Sequence, residues 1–178
     1  MMGTRSLTVF VDGDDEEIVV MYRHLDGYIE WYGKRLCAYL ELFESENSAN
    51  GMACLSAQTI MHFKSNVENP NYDAPRVYDE EKGYMKSPIK EGAHEGGIYL
   101  YPAGTREVGE EYIYVVKGGK KNSIYLSAYK AGNKEYTWNS EILPAVPDEL
   151  IYGGRPSEKW ITNALRNESK INNREEME

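Results

Sequence analysis

Cysteine is almost missing from this chain. Cys37 and Cys54 are the two in 178 residues, and both fall on segments whose spacing reads as helix. That excludes a disulfide framework, and two reduced, buried thiols are expected instead. Histidine is equally scarce: His24, His62 and His94 are scattered and match no zinc spacing, so neither a metal site nor a cofactor is expected. No apolar run reaches the ~18 residues that suggest a membrane span. The N-terminus lacks the basic, then apolar, then small-residue order of a secretory leader, so a cytoplasmic location is expected. Positive charge is in deficit, with 20 Lys and Arg against 29 Asp and Glu and a net charge of −9. A general nucleic-acid binder needs a basic face, so that class is disfavoured, although a local arginine pocket is not. There is no nucleophile elbow and no glycine-rich phosphate loop.

What the chain does contain is enough apolar sequence, 41%, for one core. Its length suits a single domain over 1–178. Residues 5–12 (RSLTVFVD) and 17–24 (EIVVMYRH) alternate like strands, and the DGDD between them is a hairpin turn. From Ile29 the period changes. Ile29, Tyr32, Leu36, Tyr39, Leu40 and Phe43 recur every three or four residues, which predicts a helix to about residue 43. Met52, Leu55, Ser56, Thr59, Ile60 and Phe63 mark a second. Residues 66–95 hold three prolines and much charge without a sustained period, and read as a long loop or insertion. Strands are expected at 97–101, 111–116 and 123–130, with a short one at 134–138. Residues 144–156 read as irregular. Ser157 is a candidate N-cap for a C-terminal helix carrying Trp160, Ile161, Ala164 and Leu165, and 171–178 reads as a flexible acidic tail. The order predicts an α+β protein: an antiparallel sheet of about five to six strands, with two to three helices packed on one face.

Side chains alternate across a strand. Tyr99 and Tyr101 oppose Ile98 and Leu100; Tyr112 and Tyr114 oppose Ile113 and Val115; Tyr125 and Tyr129 oppose Ile124, Leu126 and Ala128. The expectation is an aliphatic face against the helices and a tyrosine face opposite. That second face suits cross-strand aromatic packing, a dimer interface or a stacking surface for a flat ligand.

Gly3-Thr4-Arg5 recurs as Gly104-Thr105-Arg106, each at a strand end. Arginine offers a planar fork suited to phosphate or carboxylate, and threonine a hydroxyl. If the two turns share one end of the sheet, Arg5 and Arg106 converge on one anion; otherwise each pairs with local acids. The segment MYRHLDGY, residues 21–28, packs Arg23, His24, Asp26 and Tyr28 into a strand-to-helix junction. An acid–base reading makes His24 the base and Asp26 its orienter; the plainer reading makes Asp26-Gly27 a turn.

These motifs together, GTRS, YRxxDGY, GMxCLxAQ and GTRxxxEEY, resemble a family of small proteins found in bacteriophages and bacteria whose function is not established. The resemblance covers roughly residues 2–130, least well over 66–95. This chain carries Ile29-Glu30 where relatives have proline. It implies that Gly3-Thr4-Arg5, Arg23, Asp26-Gly27-Tyr28, Gln58 and Gly104-Thr105-Arg106 belong to a recurring pattern, and a host-cytoplasm setting where the gene is phage-borne.

Three functions follow as expectations. The first is non-enzymatic binding of a small anionic, nucleotide-like ligand, in a phage serving to capture a host immune signal. Thr4, Arg5, Arg23, Asp26, Tyr28, Gln58, Thr105 and Arg106 would grip it, and Tyr99, Tyr101, Tyr112 and Tyr114 would stack on its ring. The second is an enzyme degrading such a ligand through His24 and Asp26. The third is a protein–protein module using the tyrosine face. A homo-oligomer is compatible with each.

Overall fold

The computed structural model describes residues 3–46, 50–65, 77–79, 84–86, 98–119, 123–132 and 147–177. Strand β1 (Ser6–Val11) and strand β2 (Glu17–Arg23) form the expected hairpin. Asp12 closes its turn: the carboxylate accepts the Asp14 and Glu16 amides at 2.9 and 3.1 Å, the local bonding that suits Asp to turns. A π-helical turn (Ile29–Gly33) leads into α1 (Lys34–Glu46), and α2 (Gly51–Ser65) follows. Of the expected excursion over 66–95, a small hairpin of β3 (Val77–Asp79) and β4 (Tyr84–Lys86) is described; the strand expected at 134–138 lies outside the described residues. Then come β5 (Ile98–Tyr101), β6 (Tyr112–Gly118), β7 (Ile124–Lys130), β8 (Glu149–Gly154) and α3 (Glu158–Met177).

Six strands make one sheet in the order β5-β2-β1-β6-β7-β8. Neighbours are antiparallel except β1 and β6, which run parallel. The protein is thus α+β, with a mostly antiparallel mixed sheet and, among the described residues, three helices. The helices cover one face. Phe10, Met21, Tyr114, Val116 and Leu126 from the sheet meet Ile29, Leu36, Leu40, Leu55 and Trp160 in one buried cluster. Each such aliphatic side chain contributes about 1.5–3 kcal/mol on burial. Ser157 caps α3 by accepting the Trp160 amide at 3.2 Å, and the Trp160 indole donates to the Leu126 carbonyl at 2.8 Å, fastening α3 to β7.

Two readings of the second half change. Strand β8 occupies a segment read as irregular. Among the described residues it is bonded on one side only, and Ile151 alone of its residues is buried, so no apolar alternation was demanded of it. The stretch 171–177 is the end of α3 rather than a flexible tail: Ile171 is buried and Arg174 pairs with Glu149.

The parallel pair has a topological consequence. β5 runs antiparallel to β2, as does β1, and β1 is parallel to β6. So β5 and β6 point the same way, and the chain must recross the sheet between them. It does so in residues 102–111, without a helix. Val108 of this strap packs against a second cluster of Leu7, Val9, Val20, Tyr22 and Ile113, which places the strap on the face away from the helices. Parallel connections usually need a dozen or more residues; this shorter one crosses through tight turns, with Gly104, Glu107 and Gly109 at positive φ.

Candidate functional site

The recurring Gly-Thr-Arg segments both meet the strap, at opposite ends. Arg106 lies in it and grips Glu17 at the start of β2 with both terminal nitrogens; the Gly104 amide donates to the same carboxylate. Burial raises the Glu17 pKa, but these donors and the guanidinium charge outweigh it and hold the carboxyl below its usual value. The Thr105 hydroxyl turns inward to the Pro102 carbonyl at 2.7 Å. At the other end, the Arg5 carbonyl accepts the Glu111 and Tyr112 amides. A Cβ built on Gly109, whose φ is 86°, would sit 2.8 Å from Arg5 Nη1. A side chain there would displace the Arg5 tip, and the left-handed φ itself favours glycine.

The two forks therefore do not converge. Glu17 pairs across from Val11, while Arg5 precedes Ser6, so their anchor points are about 20 Å apart along β1. The echo marks two fastenings of one strap, and Arg106 is committed to a carboxylate.

Arg23 lies on the other face of the sheet. Its register partner Ser6 belongs with Thr8 and Phe10 on the helix side of the sheet. Its Nε donates to the Leu25 carbonyl at 2.8 Å, and its guanidinium lies 5.1 Å from the Tyr32 ring centre. Tyr32 and Thr8 share a 2.6 Å hydrogen bond. The Thr4 carbonyl accepts the Gly27 amide at 2.9 Å. Tyr28 opens the π-helical turn, its carbonyl accepting three amides. Asp26 is an exposed residue at φ 55°, a turn position that aspartate tolerates. His24 bonds through Nδ1 to the Tyr22 hydroxyl at 3.0 Å and not to Asp26, so the acid–base pair is not assembled. Gln58 donates to Cys54 Sγ within α2.

The tyrosine face also needs correction at β6. Tyr112 and Tyr114 point into the helix-side core, while Ile113 lies on the strap side. The reason is polar pairing inside the core. The Tyr114 hydroxyl donates to the Gly27 carbonyl at 2.8 Å, and that of Tyr112 donates to Glu168 of α3. Burial pushes both phenols' pKa values well up, and the neighbouring Glu168 carboxylate reinforces this for Tyr112. Neither ring can stack on an external ligand. On β5 the expected split is observed.

What the fold does assemble, on the strap side at the β5 edge, is one guanidinium beside a ring cluster. Tyr22 is at the centre, with Tyr99, Tyr101 and His24 at centroid distances of 6.0, 5.9 and 6.1 Å. Arg5 borders it. Burial raises the Tyr22 pKa, and the Arg5 charge opposes that rise. Among the described residues Arg5 Nε is buried with no hydrogen-bond partner. Tyr99 is 55% exposed, and Lys64 Nζ lies 5.9 Å from its ring centre. Tyr22, Lys64 and Glu17 were not singled out in the sequence. Tyr22 had a signal, since it shares the strand-side parity of Val20; Lys64 and Glu17 had none without the pairing register.

A cavity of about 230 Å³ lies elsewhere, between the β1–β2 turn, the β6–β7 connection and the start of α2; Phe43, Met52, Leu55 and Ile124 help to line it, with Asp12 beside them. None of the residues expected at a site lines it. Among the described residues no cluster of potential metal ligands occurs, and no helix is long and apolar enough to cross a membrane. The fold and this face define an α+β sheet protein with a cation–aromatic surface. No family model, curated protein or solved structure matches the chain.

Proposed function

We propose that this protein binds, without turnover, a small anionic ligand that carries a flat ring. Arg5 is its charged contact, and Tyr99 with Tyr22 and Tyr101 is its stacking surface. The observation that carries this reading is the Arg5 guanidinium beside Tyr22, next to an exposed tyrosine edge. The Lys64 ammonium adds a second positive charge at the Tyr99 ring, which favours a phosphorylated ring such as a nucleotide over a neutral aromatic. His24, tied to Tyr22, supports the ring cluster rather than proton transfer. In a bacteriophage-type member, such a protein would act by sequestering a nucleotide-derived host signal.

The test is a thermal-shift and calorimetric screen against linear and cyclic mono- and dinucleotides, followed by chromatography of the recovered ligand. Stabilisation is expected, with the ligand unchanged. Arg5→Gln and Tyr99→Ala should each weaken binding about tenfold, while His24→Ala leaves the recovered ligand intact as in the wild type. A panel that produces no stabilisation removes the proposal. A product that disappears with His24→Ala replaces it with the enzyme reading.

A further inference from the structure

We infer that the outer face of α1 is an isologous interface for a second copy of this chain. The inner face of the helix is spent on the core through Leu36, Cys37 and Leu40. Its outer face carries apolar side chains among charged ones. Leu42 is 53% exposed and Trp31 40%, with exposed Ala38 between them. The Arg35 guanidinium lies flat over Trp31, 3.5 Å from its ring centre, so the two side chains form one broad shelf.

The pattern is self-complementary, as a two-fold contact requires. At 100° per residue, Arg35, Ala38 and Leu42 fall on one stripe, with Lys34 and Glu41 together along one flank. Let a two-fold axis pass at Ala38 and a second α1 run antiparallel across it. Residues equally far before and after Ala38 then face each other. Lys34, four before, meets the partner copy's carboxylate at position 41, three after, on the same flank. The Trp31–Arg35 shelf, on the other flank, receives the leucine at position 42. Each contact occurs twice. Ala38 at the centre lets the backbones approach closely, and antiparallel alignment also opposes the two helix dipoles. Nothing in the isolated chain uses Glu41 this way: among the described residues it has no ion pair, while Lys34 has the exposed Glu30 at 3.2 Å. With Lys34 and Arg35 before the centre and Glu41 after it, and Glu30 already beside Lys34, the charges favour an antiparallel copy over a parallel one.

Native mass spectrometry and light scattering on the full chain at about 10 µM should show a dimer. Lys34→Glu and Glu41→Lys should each raise the dissociation constant about 30-fold or more, because each sets like charges together. The double variant should return to within about threefold of wild type, and Leu42→Asp should give monomer. All these sites are on the outer helix face, and unchanged circular dichroism and melting of the monomer would confirm folding. A monomeric wild type overturns the inference. So does a dimer that survives Leu42→Asp, or single charge swaps that the double variant fails to rescue.

Discussion

Glu17→Gln tests whether the strap is held as described. The substitution keeps the side chain's size and one acceptor oxygen, and removes the charge that Arg106 and the Gly104 amide share. Charge-assisted hydrogen bonds contribute about 1.5–3 kcal/mol each when well shielded. Here the Glu17 and Arg106 side chains are 25% and 33% exposed, so solvent screening reduces the whole contact to about 1–2 kcal/mol. For a chain of this size that is a fall in Tm of about 2–8 °C. The pH dependence has a definite sign. Glu17 is held below its usual pKa of 4.5. Its contribution is complete above that value and disappears as pH falls through the lower folded-state pKa. Urea unfolding of wild type and variant should therefore differ at pH 7 and converge in strong acid. Combining the change with Arg106→Gln should cost less than the sum of the single losses, by about 1 kcal/mol of coupling. Equal stabilities at pH 7, or a gap that widens as pH falls, would refute the fastening role and return Arg106 to the pool of ligand contacts.

Two further outcomes are expected. Tyr114→Phe leaves the Gly27 carbonyl without the donor it has at 2.8 Å inside the core, and should destabilise by about 1–2 kcal/mol in urea; a neutral result would mean that the carbonyl finds another donor. The Cys37 thiol is pushed up to about 12 by burial, so a thiol reagent at pH 8 should leave it unlabelled until denaturant is added; rapid modification of Cys37 in the native protein would contradict its placement.

Much of the fold was written in the order of residues. The 3.6 period after Ile29, the alternation of Ser6–Val11 and Glu17–Arg23, and the Ser157 cap are local signals, set by side-chain geometry within a few residues. They sufficed for three helices, for five strands of the six-stranded sheet and for the α+β class. β8 escaped because it buries too little to impose a pattern. The site was legible only in part. Arg5, Tyr99 and Tyr101 share a surface, whereas Tyr112 and Tyr114, placed by alternation, face the helices, and Arg106, placed by the Gly-Thr-Arg echo, is held by Glu17.

The sequence by itself determined which segments are helix or strand, and which residues have chemistry worth placing. The tertiary structure alone decided which of them meet. Parity along β6 allowed either side chain set to face the helices. Hydroxyl partners on Gly27 and Glu168, from distant segments, turned the tyrosines inward. The parallel pairing of β1 with β6 forced residues 102–111 across the sheet. That crossing spent one arginine on Glu17 and laid the strap beside the other, because a guanidinium's partner is fixed by what the chain's path brings near it.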